Sequence, residues 1–145
     1  MEKLIFDCAA LHVDHISSQG DPFEMGSSRP LDFGHWAAHK LEQLTEFEVK
    51  HGEAVAIGLV LDLAYAVNEG LLSHKVFERV YAVLGQLGFT LFHPLLLNQE
   101  TNALNPEVYA GLEEFRAHLG GQLTITLIKE IGMLAPSASP HPGGL

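Results

Sequence analysis

At 145 residues the chain is long enough for one domain that buries most of its apolar surface without staples, and 47% hydrophobic content with scattered charge argues for a folded globular chain and against a wholly disordered one. A formal net charge of −10 excludes a nucleic-acid backbone or an anionic membrane as the main partner, leaving room for an anionic small molecule in a local cationic pocket. The single cysteine, Cys8, excludes an intramolecular disulfide and fits a reducing compartment.

In chain order, Leu4, Ile5, Cys8, Leu11, Val13 and Ile16 recur at mostly three-four spacing, which predicts an amphipathic helix over residues 2–17. Its start lacks the positive charge and long apolar run of a signal peptide. Residues 18–32 (SQGDPFEMGSSRPLD) are rich in Gly, Ser, Pro and Asp and predict a loop, with Asp21, Glu24, Arg29 and Asp32 as its charged members. Asp32 is placed to cap a helix that begins near Gly34 and ends near Thr45. A second helix from Gly52 to Asn68 is almost wholly apolar, so it is expected at the centre of the core, ended by Gly70. Its most apolar part, Ala54 to Val67, is interrupted by Asp62 and too short to span a bilayer, so a soluble, cytoplasmic protein is expected.

Ser73 then caps a helix from His74 to Leu87, with Val76, Phe77, Val80, Tyr81 and Leu84 on its inner face and Gly88 closing it. Residues 89–106 read as a connection, and Asn105 with Pro106 opens a last helix carrying Val108, Tyr109, Leu112 and Phe115, ended by Gly120 and Gly121. QLTITLIK alternates as a short strand does, and the tail from Leu134 is low-complexity and expected to be disordered. The fold class is therefore mainly α with one or two short strands near the end. Residues 1–133 form the domain and residues 134–145 the tail. No βαβ pattern or Gly-rich phosphate loop follows a strand, so the chain does not build a dinucleotide site of the usual kind.

The chemistry concentrates between Arg29 and Gly58. His35 and His39, four apart, share one helix face, and His51 opens the next helix, followed by Gly52 and Glu53. If those helices pair as a hairpin, three imidazoles converge. Three imidazoles, or two with a carboxylate, suit a zinc site with an open position, and a further histidine one turn away suits a general base. The pattern is not HExxH, since Trp36, Ala37 and Ala38 separate the first pair and Lys40 follows His39.

The segment LDFGHWAAHKLE followed by KHGEAVAIGLVL resembles the signature of the sugar phosphate cyclase superfamily, whose best-known member is 3-dehydroquinate synthase. FRAHLGG and LTITLIKEIG resemble the end of that family's C-terminal domain, so the likeness covers residues 5–133. It implies a lyase chemistry in which bound NAD transiently oxidises a ring carbinol of a heptulose or heptulosonate phosphate, phosphate leaves, and the ring closes. By position, it makes His35 and His51 ligands of Zn2+, Co2+ or another divalent metal, and His39 a proton-transfer histidine near the phosphate. It also places Glu24 near the catalytic centre, and Arg29, Asp32, Arg116 and His118 at substrate-binding positions. A homodimer is implied as well.

Departures from the pattern accompany the match. The family's third ligand, a glutamate, comes from an earlier segment, together with the NAD-binding domain. That domain would have to act in cis or in trans. The phosphate-binding arginine falls on Ser28, one position before Arg29; an expected lysine falls on Asp14, near His12 and His15; and a lysine pair reads Arg116 and His118. Two further readings stand beside the cyclase half: a non-catalytic remnant that binds a metal or a partner chain, and a helical scaffold with incidental histidines. The iron-dependent alcohol dehydrogenases share the two-domain plan, but the HGEAVAIG run favours the cyclases.

Overall fold

The computed structural model describes residues 1–18, 30–118 and 125–135. Helices α1 (Glu2–Ser18), α2 (His35–Leu44), α3 (His51–Asn68), α4 (His74–Gln86) and α5 (Pro106–His118) precede a hairpin of β1 (Ile128–Glu130) and β2 (Met133–Leu134). The strands pair antiparallel, and the register is irregular between Ile128 and Glu130. The mainly helical class with short terminal strands is the observed one. No helix is long and apolar enough to cross a membrane among the described residues.

Local signals set most element ends. In the first turn of α3 the Glu53 carboxylate accepts the Lys50 N–H at 2.9 Å, satisfying a donor the helix cannot. Past its other end Gly70 takes φ +68, and the Leu71 N–H reaches back to Ala66 O at 2.9 Å. Ser73 Oγ accepts the Val76 N–H at the start of α4, and Asn105 Oδ1 accepts the Glu107 N–H at the start of α5.

The core lies around α2 and α3. α2 packs most extensively on α3 and then on α5, while α3 also carries α4 and β1. Trp36, Ala37, Ala38 and Leu41 of α2 meet Ala54, Ile57, Leu63 and Ala66 of α3, with Val108, Leu112 and Phe115 of α5 closing the far side. The backbones of α2 and α3 approach at two glycines. A Cβ on Gly58 would stand 1.9 Å from the Gly34 carbonyl oxygen, and one on Gly34 would stand 2.7 Å from the Leu59 nitrogen. Gly34 also takes φ +78, a left-handed conformation that a side chain disfavours.

Four expectations change. Asp32 does not cap α2: it ends a 3-10 turn, Pro30–Asp32, and the N-cap is Gly34, which makes no side-chain cap hydrogen bond. The left-handed Gly34 lets the chain turn directly into the helix. Tyr81, expected on the inner face of its helix, is 44% exposed, as is Tyr109, and the Tyr81 ring lies 5.8 Å from that of Phe77. Residues 125–127 are all buried and do not alternate, because this segment runs beneath both the core and Ala135, whose N–H bonds Leu127 O at 2.8 Å. The apolar side chains of α1 are exposed, with Phe6 and Leu11 both at 71%. The loop at 19–29, the glycines at 120 and 121, the first residues of the expected strand and the tail from 136 lie outside the described residues.

Gly58→Ala is expected to lower stability by about 1–3 kcal/mol or more, through overpacking against backbone that has no room to move. Urea unfolding of the variant checks this, and a midpoint equal to wild type would contradict the contact.

Candidate functional site

The connection from α2 to α3 is short and strongly turned, which returns His51 to the face that carries His35 and His39. Thr45 Oγ1 donates to Leu41 O at 2.9 Å, and Glu46 and Phe47 take φ 51 and 63. The three imidazoles converge: ring centroids lie 5.6 Å apart for His35 and His39, 5.3 Å for His35 and His51, and 5.9 Å for His39 and His51.

His35 and His51 are each held by an acceptor at Nδ1. His35 Nδ1 donates to Phe33 O at 3.0 Å, and His51 Nδ1 donates to Glu42 Oε2 at 3.2 Å. Both partners only accept, so in the neutral rings Nδ1 carries the proton and Nε2 keeps its lone pair. A carbonyl or carboxylate behind each imidazole is the arrangement that orients metal-binding histidines and raises their basicity. Among the described residues, His39, Glu42 and His51 form a group whose ligating atoms all lie within 4.8 Å of one another. The donor set fits a divalent ion: imidazole nitrogens with a carboxylate at hand.

Beside His39, a cleft of about 220 Å³ opens between α2 and α5, lined by Trp36, His39, Lys40, Gln43, Gly111, Glu114 and Phe115. Lys40 is buried there; its stem lies against Gly111 and its ammonium donates to Glu114 Oε1 at 2.6 Å. Arg116 is on the exposed side of α5, paired with Glu113 at 2.6 Å, and is not among the residues lining that cleft. Asp32 sits half-buried in the turn before α2. Glu24, Arg29 and the side chain of His118 lie outside the described residues.

Three polar residues that sequence reasoning passed over belong to this region: Lys40, Glu42 and Asp62. Glu42 follows His35 by seven residues and His39 by three, so the same spacing argument places it on the histidine face. Asp62 is the one charge in the apolar run of α3. It is fully buried; Oδ2 accepts the Gly34 N–H and Oδ1 accepts the Trp36 Nε1–H, each at 2.7 Å. Burial pushes its pKa up from 3.8 to about 7, against the opposing pull of the Trp36 and Gly34 hydrogen bonds.

The sequence profile described as 3-dehydroquinate synthase C-terminal matches residues 1–107. The chain belongs to this family. The 3-dehydroquinate synthase C-terminal domain seen here is 37% identical over 115 residues to the 2-epi-valiolone synthase of Actinosynnema mirum, covering 77% of this chain and 29% of that protein. It is 29% identical over 131 residues to a 3-dehydroquinate synthase of Clostridium perfringens, covering 90% of this chain and 35% of that one. Among solved structures, the 2-epi-5-epi-valiolone synthase of Streptomyces hygroscopicus subsp. jinggangensis, with NAD+ and Zn2+ bound, superposes with a TM-score of 0.71 at 27% identity. That match covers 84% of this chain and 32% of the other. A 2-deoxy-scyllo-inosose synthase complexed with carbaglucose-6-phosphate, NAD+ and Co2+ shares the fold at 20% identity and a TM-score of 0.55. The chain thus spans about a third of the length of the relatives it matches.

In this C-terminal domain, Asp62 links stability to pH. A carboxyl whose folded pKa lies above its unfolded value binds more protons folded than unfolded between the two values, so its contribution is full below about pH 4 and is lost as the pH rises through about 7. Stability of the wild type is therefore expected to fall across that window more steeply than that of Asp62→Asn. Thermal unfolding at several pH values measures it, and parallel curves would contradict it.

Proposed function

We propose that this chain is the metal- and substrate-binding half of a sugar phosphate cyclase, acting on a heptulose or heptulosonate phosphate together with an NAD-binding domain in cis or in trans. One observation carries the reading. The two histidines that the family resemblance makes ligands, His35 and His51, each have Nδ1–H held by an acceptor, Phe33 O and Glu42 in turn, which leaves Nε2 available to a metal. The structures matched by the fold hold Zn2+ in one case and Co2+ in the other, which supports a divalent ion here.

In this reading a bound divalent ion supplies Lewis acidity toward vicinal hydroxyls of the sugar. The chain's residues do the rest. His35 and His51 hold the ion, with Glu42 fixing the orientation of His51. His39, within 6 Å of both rings, exchanges a proton with the departing phosphate, as a histidine does near neutral pH. The cleft at His39 and Lys40 receives part of the substrate; by the family resemblance Arg29 and Asp32 bind it and Glu24 serves the catalytic centre. Arg116 and His118 are assigned to substrate binding by the resemblance alone, and Arg116, paired with Glu113, would have to leave that partner to take part. We assign NAD to the NAD-binding domain, a reading supported by the described residues carrying a two-stranded hairpin and no βαβ unit. The exposed apolar face of α1 supports a protein surface as its partner, either the NAD-binding domain or a second copy in a homodimer. We place the protein in the cytoplasm, where its one cysteine, exposed Cys8, stays reduced.

Two outcomes are expected. The purified chain retains a divalent metal that a His35→Ala, His51→Ala double variant loses, and unchanged metal content on elemental analysis would refute the site. Supplied with zinc, NAD and a heptulose phosphate, the 145-residue chain alone releases no phosphate; release would show that no further domain is needed.

A further inference from the structure

We propose that Asp62, about three helical turns from His51 along α3, is the positioning residue that sets where His35 stands. The inference rests on the metal reading for its consequence, and on geometry alone for its mechanism. Asp62 uses one carboxylate oxygen for Gly34 N–H and the other for Trp36 Nε1–H, so it grips the chain on both sides of His35. His35 in turn aims its ring by donating to Phe33 O, in the same four-residue turn. The first turn of α2 has no capping side chain of its own, and the carboxylate from α3 takes over that duty, with the helix dipole favouring an anion there.

A carboxylate in this place is costly. Asp62 is 2% exposed and Trp36 3%, and a buried acid with no cation against it is disfavoured unless its hydrogen bonds are complete. An aliphatic side chain would fill the volume without that cost, but it would orphan both N–H donors and free the turn that carries His35. Because Asp62 and His51 lie on one helix, the clamp also sets His35 relative to His51 across the hairpin.

The test uses Co2+ as the probe on the full chain. Asp62→Asn accepts at only one of the two positions, and Trp36→Phe keeps the buried ring while removing its donor. The second variant carries the test if the first fails to fold. With helical circular dichroism intact, Co2+ affinity read from the visible absorption is expected to weaken about tenfold or more in Asp62→Asn, and less in Trp36→Phe. In a His35→Ala background neither change should weaken Co2+ binding further. Wild-type affinity in both folded variants, or equal weakening with and without His35, would overturn the proposal. A second readout needs no metal. The His35 Nδ1–H proton, slow to exchange in wild type, is expected to exchange rapidly or vanish from the NMR spectrum of either variant. Unchanged exchange would overturn the proposal, whereas a wild type that binds no Co2+ overturns the metal reading and leaves this readout to decide the clamp.

Discussion

The close approach of Gly34 to Gly58 is the constraint on which the rest of the domain depends. Two helices touching backbone to backbone leave no freedom to slide or rotate, because a single methyl group at Gly58 would sit inside the Gly34 carbonyl. Gly34 stands immediately before His35, and Gly58 lies on the helix that begins with His51. Fixing that contact therefore fixes the distance between two histidines on different elements. The apolar surfaces of Trp36, Ala38 and Leu41 against Ala54, Ile57 and Leu63 supply the burial that holds the pair together.

Two carboxylates then do different jobs on either side of this contact. Asp62 works in the dry interior, tying the entry of α2 to the middle of α3. Glu42 works at the rim, largely covered, and holds His51 from behind. One governs where a ring stands and the other which nitrogen it offers. The pairing turns a generic helix hairpin into a place where three imidazoles gather within 6 Å of one another, centroid to centroid. Two of these rings have Nδ1 held by an acceptor, which leaves their Nε2 as the nitrogen available to a metal, and that is the physical reason to read the cluster as a metal site.

Much of this was legible in the sequence because the informative signals are local. Ser73, Asn105 with Pro106, and Gly70 mark helix ends through bonds to residues two to four positions away, and the structure places the ends there. The convergence of His35 and His39 with His51 followed from helical spacing and a short connection. What was not legible depended on distant partners. The Gly34–Asp62 bond crosses 28 residues, so Asp62 read only as an interruption of an apolar run, and Asp32, nearer in sequence, drew the capping role. Tyr81 shows the same limit in reverse: periodicity put it on the inner face of its helix, but it is 44% exposed. The family resemblance reached further than spacing did, since the matched profile bears it out over residues 1–107.

The most direct test is a long-range proton–nitrogen NMR spectrum of the histidine side chains, recorded before and after adding Zn2+. The account predicts the Nδ1–H tautomer for His35 and His51 in the metal-free protein, and a metal-bound shift at Nε2 of those two residues on titration. An Nε2–H tautomer at either one, or zinc taken up by His39 in place of His35, would contradict it.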